Sequence, residues 1–169
     1  ELCRARDALQ ERVEAGSAQL SHTEARLALA LEASELGLWD WNLLTDEVHH
    51  SHLEEIFGIT QDAVKSVRND LRPRLHPDDV PLLRRALVEH LKGRTDGYRI
   101  EYRVRHAAGH WVWVEDRGRV MERDGRGQVT RMVGTRADIS PRKLREEEQR
   151  LAATVFEAAS EGIIILDPD

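Results

Sequence analysis

The spacing of apolar positions changes along the chain, and each change marks a new element. Residues 1 to about 35 hold one breaker, Gly16, and set Leu2, Leu9, Val13, Leu20 and Leu27 on a and d positions of a single heptad frame. Arg6, Gly16, Thr23 and Ala30 complete that seam and weaken it. Such a helix can pack its narrow stripe on its own domain or pair with a copy of itself. Its polarity favours the parallel two-helix coil.

From Gly37 the period becomes two. "GLWDWNLL" predicts a strand, "TDE" a turn and "VHHS" a second short strand. "HLEEIFGI" predicts a short helix closed by Gly58, and a polar stretch with two weak helical turns runs to about Leu75. "HPDDVPLLRRALVEHLKG" has the clearest boundaries. Pro81 lacks an N–H and belongs in a first turn, so Asp79 or Asp78 is the expected N-cap and Gly93 the stop. Val80, Leu83, Leu87, His90 and Leu91 share one face of that helix.

Three longer strands follow. "YRIEYRVRH" alternates Tyr98, Ile100, Tyr102 and Val104 with Arg99, Glu101, Arg103 and Arg105. "HWVWVEDRGRVM" sets Val112 and Val114 against Trp111, Trp113 and Glu115, and "DGRG" turns the chain into "QVTRMVGTRADI". Ser140 then caps a helix with Pro141 at its first position, in which Leu144, Leu151 and Ala158 repeat at seven.

Composition narrows the function classes. Charged residues make up 33% of the chain and the net charge is −6, so no basic excess points to nucleic acid. No apolar run reaches the ~20 residues of a membrane span, so no membrane contact is expected. The single cysteine, Cys3, forbids an internal disulfide and suits a reducing, cytoplasmic setting. Nucleophile elbow, phosphate loop and zinc-protease helix are all missing, as are Gly-Gly-Asp-Glu-Phe and Glu-Ala-Leu signatures and a phosphoacceptor histidine box. No catalytic residue and no metal site is therefore assigned. "HHSH" offers His50 and His52 on one strand face, with no third ligand.

A short repeat is also visible: "LALALEASELGLWDW" resembles "LAATVFEAASEGIIILD", with Gly37 matching Gly162. It predicts that a second copy of the domain begins near the end of the chain.

Taken together, "GLWDWNLLTDEVHHS", "LEEIFGI", "LHPDDVPLL", "YRIEYRVRHAAGHWVWVEDRGRV" and "VGTRADISPRK" resemble a PAS domain with a PAC-like C-terminal half. The resemblance covers Leu29 to Lys143 and departs in one place, where Ser140 replaces the usual threonine after Asp138-Ile139. It implies an α+β PAS fold: a five-stranded antiparallel sheet in the order 2-1-5-4-3, helices on one face, and flanking coiled-coil-type helices. The expected organisation is a signalling helix over 1–28, the PAS domain over 29–140, a linker helix over 141–160 and the truncated start of a second PAS domain over 161–169.

The resemblance further implies a non-enzymatic sensory module of a bacterial signalling protein. It would dimerise through its flanking helices and pass signals to an output that makes or breaks cyclic-di-GMP. Alternatives are a histidine-kinase sensor, a ligand- or flavin-binding sensor, and a structural dimerisation spacer. Trp113, Glu115, Asp138, Ile139 and Ser140 are the expected transmission residues. Glu115 and Asp138 would join a nearby cation such as Arg142 or Arg136 in a polar latch; the alternative, compatible with it, is a static corner in which Asp138 satisfies backbone N–H groups and switches nothing. Trp39, Trp41, His90 and Tyr102 are the candidates for a ligand pocket. Haem-binding relatives place a histidine on the helix that carries His90, yet a histidine in a last helical turn also has a structural role. The tryptophans suit a planar ligand such as a flavin, or a plain core. Cys3 lies too far from the domain for a cysteinyl-flavin bond, so no cofactor is assigned.

Overall fold

The computed structural model describes the backbone of residues 2–163 and, from 33 to 157, every side chain. The residues 164–169, on which most of the expected second domain falls, lie outside the described residues. The first helix, α1, runs Leu2–Ala33, straight through the expected boundary at residue 28. On it Val13 and Leu20 are more than half exposed, at 65% and 61%. This helix, up to Leu36, is one compact unit, and the chain from Gly37 onward is another.

The second unit follows the predicted order of elements. Strand β1 is Gly37–Asn42, β2 Val48–His50, α2 Leu53–Phe57, α3 Val80–Leu91, β3 Tyr98–Arg105, β4 Trp111–Arg123, β5 Val129–Asp138 and α4 Ser140–Ile163. The strands form one antiparallel sheet in the order β2-β1-β5-β4-β3, as the resemblance implied.

Residues directly opposite each other in such a sheet point to the same side. One row on the inner face reads Trp39, Gly134, Gly118 and Tyr98; the next reads Gly37, Arg136, Asp116 and Ile100. Over this face α2 buries Leu53, Ile56 and Phe57, and α3 packs Leu83, Leu87 and Leu91 against the same core. Gly118 and Gly134 form a floor for the Trp39 indole. A Cβ on Gly134 would lie 2.3 Å from Trp39 Cζ2, and one on Gly118 would lie 2.7 Å from its Cη2. Only glycine admits the ring so close to the backbone.

Local polar chemistry differs from expectation in four places. Asp79 holds the N-cap position of α3 but does not cap it, because its carboxylate binds Arg103 instead; His76 Nδ1 accepts from the Asp78 N–H at 3.3 Å. Strand β2 stops at His50, and His52 adopts a left-handed conformation (φ 57°) at the start of α2, so the two histidines do not share a strand face. The expected weak turns are three short helical segments, Gln61–Ala63, Val67–Leu71 and Arg72–Arg74. Asp70 Oδ2 accepts the amides of Lys65 and Ser66 at 2.9 Å, so side-chain bonds to the backbone organise this region in place of longer helix. Finally, burial departs from one-face alternation in β4: Glu115 and Asp116 point to opposite faces, yet both are buried.

Candidate functional site: the sheet-to-helix corner and the polar core

The ladder between β4 and β5 does not end with the strand. The N–H of Ile139 donates to the Trp113 carbonyl at 2.9 Å, and the N–H of Trp113 donates to Ser140 Oγ at 2.9 Å. One further rung is thus made by Ile139, between the strand and the helix, and by Ser140, the first residue of α4. Asp138 Oδ1 closes the bend by accepting the Ser140 N–H at 2.7 Å, and the Lys143 N–H donates to the Ile139 carbonyl at 3.0 Å. The Ser140 hydroxyl is therefore spent on β4 rather than on capping its own helix.

The first turn of α4 is also pinned to the outer face of the sheet. Arg142 Nη2 and Lys143 Nζ each reach the Glu101 carboxylate on β3 at 2.7 Å. Hydrogen bonds from these two cations hold the Glu101 carboxyl below its ordinary range. Lys143 Nζ lies 5.1 Å from the centre of the Trp113 ring, and Arg103 Cζ lies 5.1 Å from the same centre. Arg103 in turn grips Asp79 in a two-pronged pair at 2.8 and 2.9 Å, and its N–H donates to the same carboxylate.

The expected latch does not have the composition proposed for it. Strand alternation sends Glu115 to the outer face, where Arg99 and Arg117 donate to it at 2.6 and 2.8 Å. Burial pulls the Glu115 carboxyl upward, but these arginine bonds outweigh it and leave the group below the usual carboxylate range. Asp138 lies opposite Val114, on the other side of the sheet. Arg136 faces inward to Asp116, and Arg142 pairs with Glu101 and Glu146. Among the described residues Asp138 Oδ1 accepts the backbone N–H of Ser140. Residue spacing gave no sign of Glu101, Asp79 or Arg103 at this corner; the one available hint was an acid set among arginines in "RIEYR".

The inner face carries a second polar group. Arg136, 5% exposed, donates to both oxygens of Asp116 at 2.8 and 2.9 Å and to the Tyr102 hydroxyl at 3.1 Å. Tyr102 donates to Asp116 as well. Burial works against the Arg136 charge, but Asp116 and Tyr102 keep the guanidinium firmly protonated, and its Cζ sits 5.3 Å above the Phe57 ring. Beside it, burial and the Arg136 charge drive His50 down to about 3, so this imidazole is neutral at ordinary pH.

The four pocket candidates have separate partners and line neither of two concavities near the sheet. Trp39 fills the glycine floor, and its Nε1, like Nε2 of His50, is buried with no hydrogen-bond partner among the described residues. Trp41 Nε1 donates to Asp46 at 3.1 Å, and Tyr102 belongs to the arginine group. His90 donates from Nδ1 to the Thr95 carbonyl at 2.9 Å and accepts the Val120 N–H on Nε2 at 3.1 Å. Both ring nitrogens are occupied, so His90 does not fit a haem ligand in this arrangement. A flavin does not fit over Gly118 and Gly134 while Trp39 lies there.

Two concavities open elsewhere. One of about 430 Å³ lies on the outer face between Arg99, Arg117, Arg119, Met121 and Val133; the other, about 260 Å³, is beside β2 at His49, Asp62 and Lys65. Among the described residues no cluster of histidine, cysteine or acidic groups suits a metal ion, and no helix is long and apolar enough to cross a membrane.

Comparison with known proteins agrees with this architecture. A family profile described as PAS fold matches residues 49–136. A solved structure of a sensory box histidine kinase/response regulator from Burkholderia thailandensis is 33% identical, with 79% of this chain and 98% of that one covered and a TM-score of 0.66. The N-terminal domain of a diguanylate cyclase with PAS/PAC sensor from Marinobacter aquaeolei is 28% identical, covering 64% and 98%, with a TM-score of 0.56. A blue-light-activated histidine kinase from Brucella anthropi is 24% identical over 85% of this chain but only 28% of its own length. A non-motile and phage-resistance protein from Caulobacter vibrioides is 24% identical over 92% of this chain and 20% of its own length. The chain thus spans less than a third of either of these longer relatives. On sheet order, matched profile and structural likeness, the chain belongs to the PAS-fold family and is a sensory domain of signalling proteins.

Proposed function

We propose that this domain transmits rather than catalyses: a change at its sheet or interior reorients α4, which passes the change to an output module beyond it. The observation that carries the reading is the extra rung at Trp113, Ile139 and Ser140, which leaves no slack between β5 and the helix. The exposed stripe of α4, Leu144 at 62% and Leu151 at 55%, supports pairing with a second copy. Val13 and Leu20 on α1 support the same arrangement at the other end. A homodimer held by both flanking helices is the form in which the module would work, in the cytoplasm, where Cys3 stays reduced.

The output is proposed to be cyclic-di-GMP synthesis or hydrolysis, with a histidine kinase as the alternative. Structural relatives of both kinds support the pair of choices. The polar core favours a second reading beside transmission. The unpartnered Trp39 Nε1 and His50 Nε2 offer hydrogen bonds to a small polar guest. The test is helix phase in the full-length protein. Removing the seven residues Arg145–Leu151 should preserve regulated output, and removing three or four of them should scramble it. Output indifferent to phase contradicts the reading.

A further inference from the structure

The corner has a second input that the strand ladder does not supply. Asp79 sits where α3 begins and is 7% exposed, yet gives its helix no side-chain cap. Its carboxylate is gripped by Arg103: the N–H and Nε on one oxygen, Nη2 on the other. Hydrogen bonds from Arg103 hold the Asp79 carboxyl below its ordinary range. The guanidinium so fixed lies against Trp113, directly opposite Arg103 in the sheet. Lys143 of α4 lies against the same ring and is itself held by Glu101. Both cations are anchored by acids, and the Trp113 backbone that carries the ring is bonded to Ile139 and Ser140.

We propose that Asp79 and Arg103 are positioning residues that tie the start of α3 to the first turn of α4 through the Trp113 ring. The inference deepens the transmission reading and rests on it for its biological meaning. It adds the helix lying over the inner face as a source of the signal. A shift of α3 moves the Arg103 fork, because a bidentate pair fixes direction as well as distance. The fork moves or releases one side of the indole, and Lys143 on the ring then changes its seat. The coupling runs through four side chains, Asp79, Arg103, Trp113 and Lys143, and needs no change in the hydrogen bonds of the sheet.

The test is amide hydrogen exchange on the 169-residue chain, read at Trp113, Ile139 and Lys143 with Met132 as the core reference. Asp79→Asn should speed exchange at Ile139 and Lys143 by about tenfold relative to Met132, the effect of losing one charge-assisted hydrogen bond upstream. Arg103→Lys, which keeps a cation but loses the fork, should give a smaller rise at the same amides. In a Trp113→Leu background the effect of Asp79→Asn on Lys143 should vanish. A merely structural Asp79 would speed exchange around α3, or everywhere alike, whether or not the ring is present; that result overturns the proposal. If Asp79→Asn fails to fold, Arg103→Lys with and without Trp113→Leu decides the question. Because these amides report coupling and not output, an intact coupling with phase-indifferent output would sink the transmission reading alone. Lost coupling with phase-sensitive output would sink only the route through Asp79.

Discussion

Replacing Arg136 with methionine tests how the polar core is held. Methionine keeps much of the side-chain volume but removes the two bonds to Asp116 and the one to Tyr102. Asp116 is 2% exposed, so its carboxylate would remain in the core with only the Tyr102 hydroxyl to face it. Breaking a buried pair from one side costs about 3–5 kcal/mol, because the stranded charge keeps its desolvation penalty. The double variant Arg136→Met with Asp116→Leu removes that charge and should recover most of the loss, ending within about 2 kcal/mol of the parent. Urea unfolding followed by tryptophan fluorescence measures both. With a slope of about 2 kcal/mol per molar, the single variant should lower the midpoint by roughly 2 M. A single variant that loses under about 1 kcal/mol, or a double variant that falls as far as the single, refutes the claim that the pair is mutually dependent.

Three other outcomes follow from the same geometry. Gly134→Ala should cost at least about 1–3 kcal/mol by overpacking and shift the Trp39 emission, since the new Cβ would meet Trp39 at 2.3 Å; an unchanged melt and spectrum would contradict the glycine floor. His50 stays neutral in the folded chain down to about 3 but titrates near 6.5 when unfolded, so the unfolded state binds more protons between those values. Stability should therefore fall as pH drops through that window, by up to about 1 kcal/mol per pH unit after allowance for partial exposure, and His50→Gln should flatten the slope in urea melts taken from pH 7 to 4. Asp138→Ala removes only the bond to the Ser140 N–H and should cost about 0.5–2 kcal/mol, with faster amide exchange confined to the start of α4.

Strands, helices and their order were legible in the sequence because periods of two and near seven are set by backbone geometry. Alternation in "YRIEYRVRH" put Tyr102 and Val104 in the core, where they are almost fully buried. The sheet order came from the family likeness, not from periodicity. The polar partners were harder to read. Asp79 and Ser140 stand at cap positions, but each has a competing donor from another strand: the Arg103 fork and the Trp113 N–H. Sequence spacing says nothing about such long-range donors. The latch failed for a similar reason, since Glu115 and Asp138 leave their strands on opposite sides and each finds nearer partners. The Trp39 indole over Gly118 and Gly134 was invisible too, because those glycines meet it only once β1, β4 and β5 are side by side.

Native-state hydrogen exchange at Ile139 and Lys143 bears most directly on the claim that β5 runs into α4 without slack. The account predicts that both amides open with free energies close to that of the sheet core at Met132, because Ile139 bonds Trp113 and Lys143 bonds Ile139. Exchange at the rate of a frayed helix end, while Met132 stays protected, would contradict it.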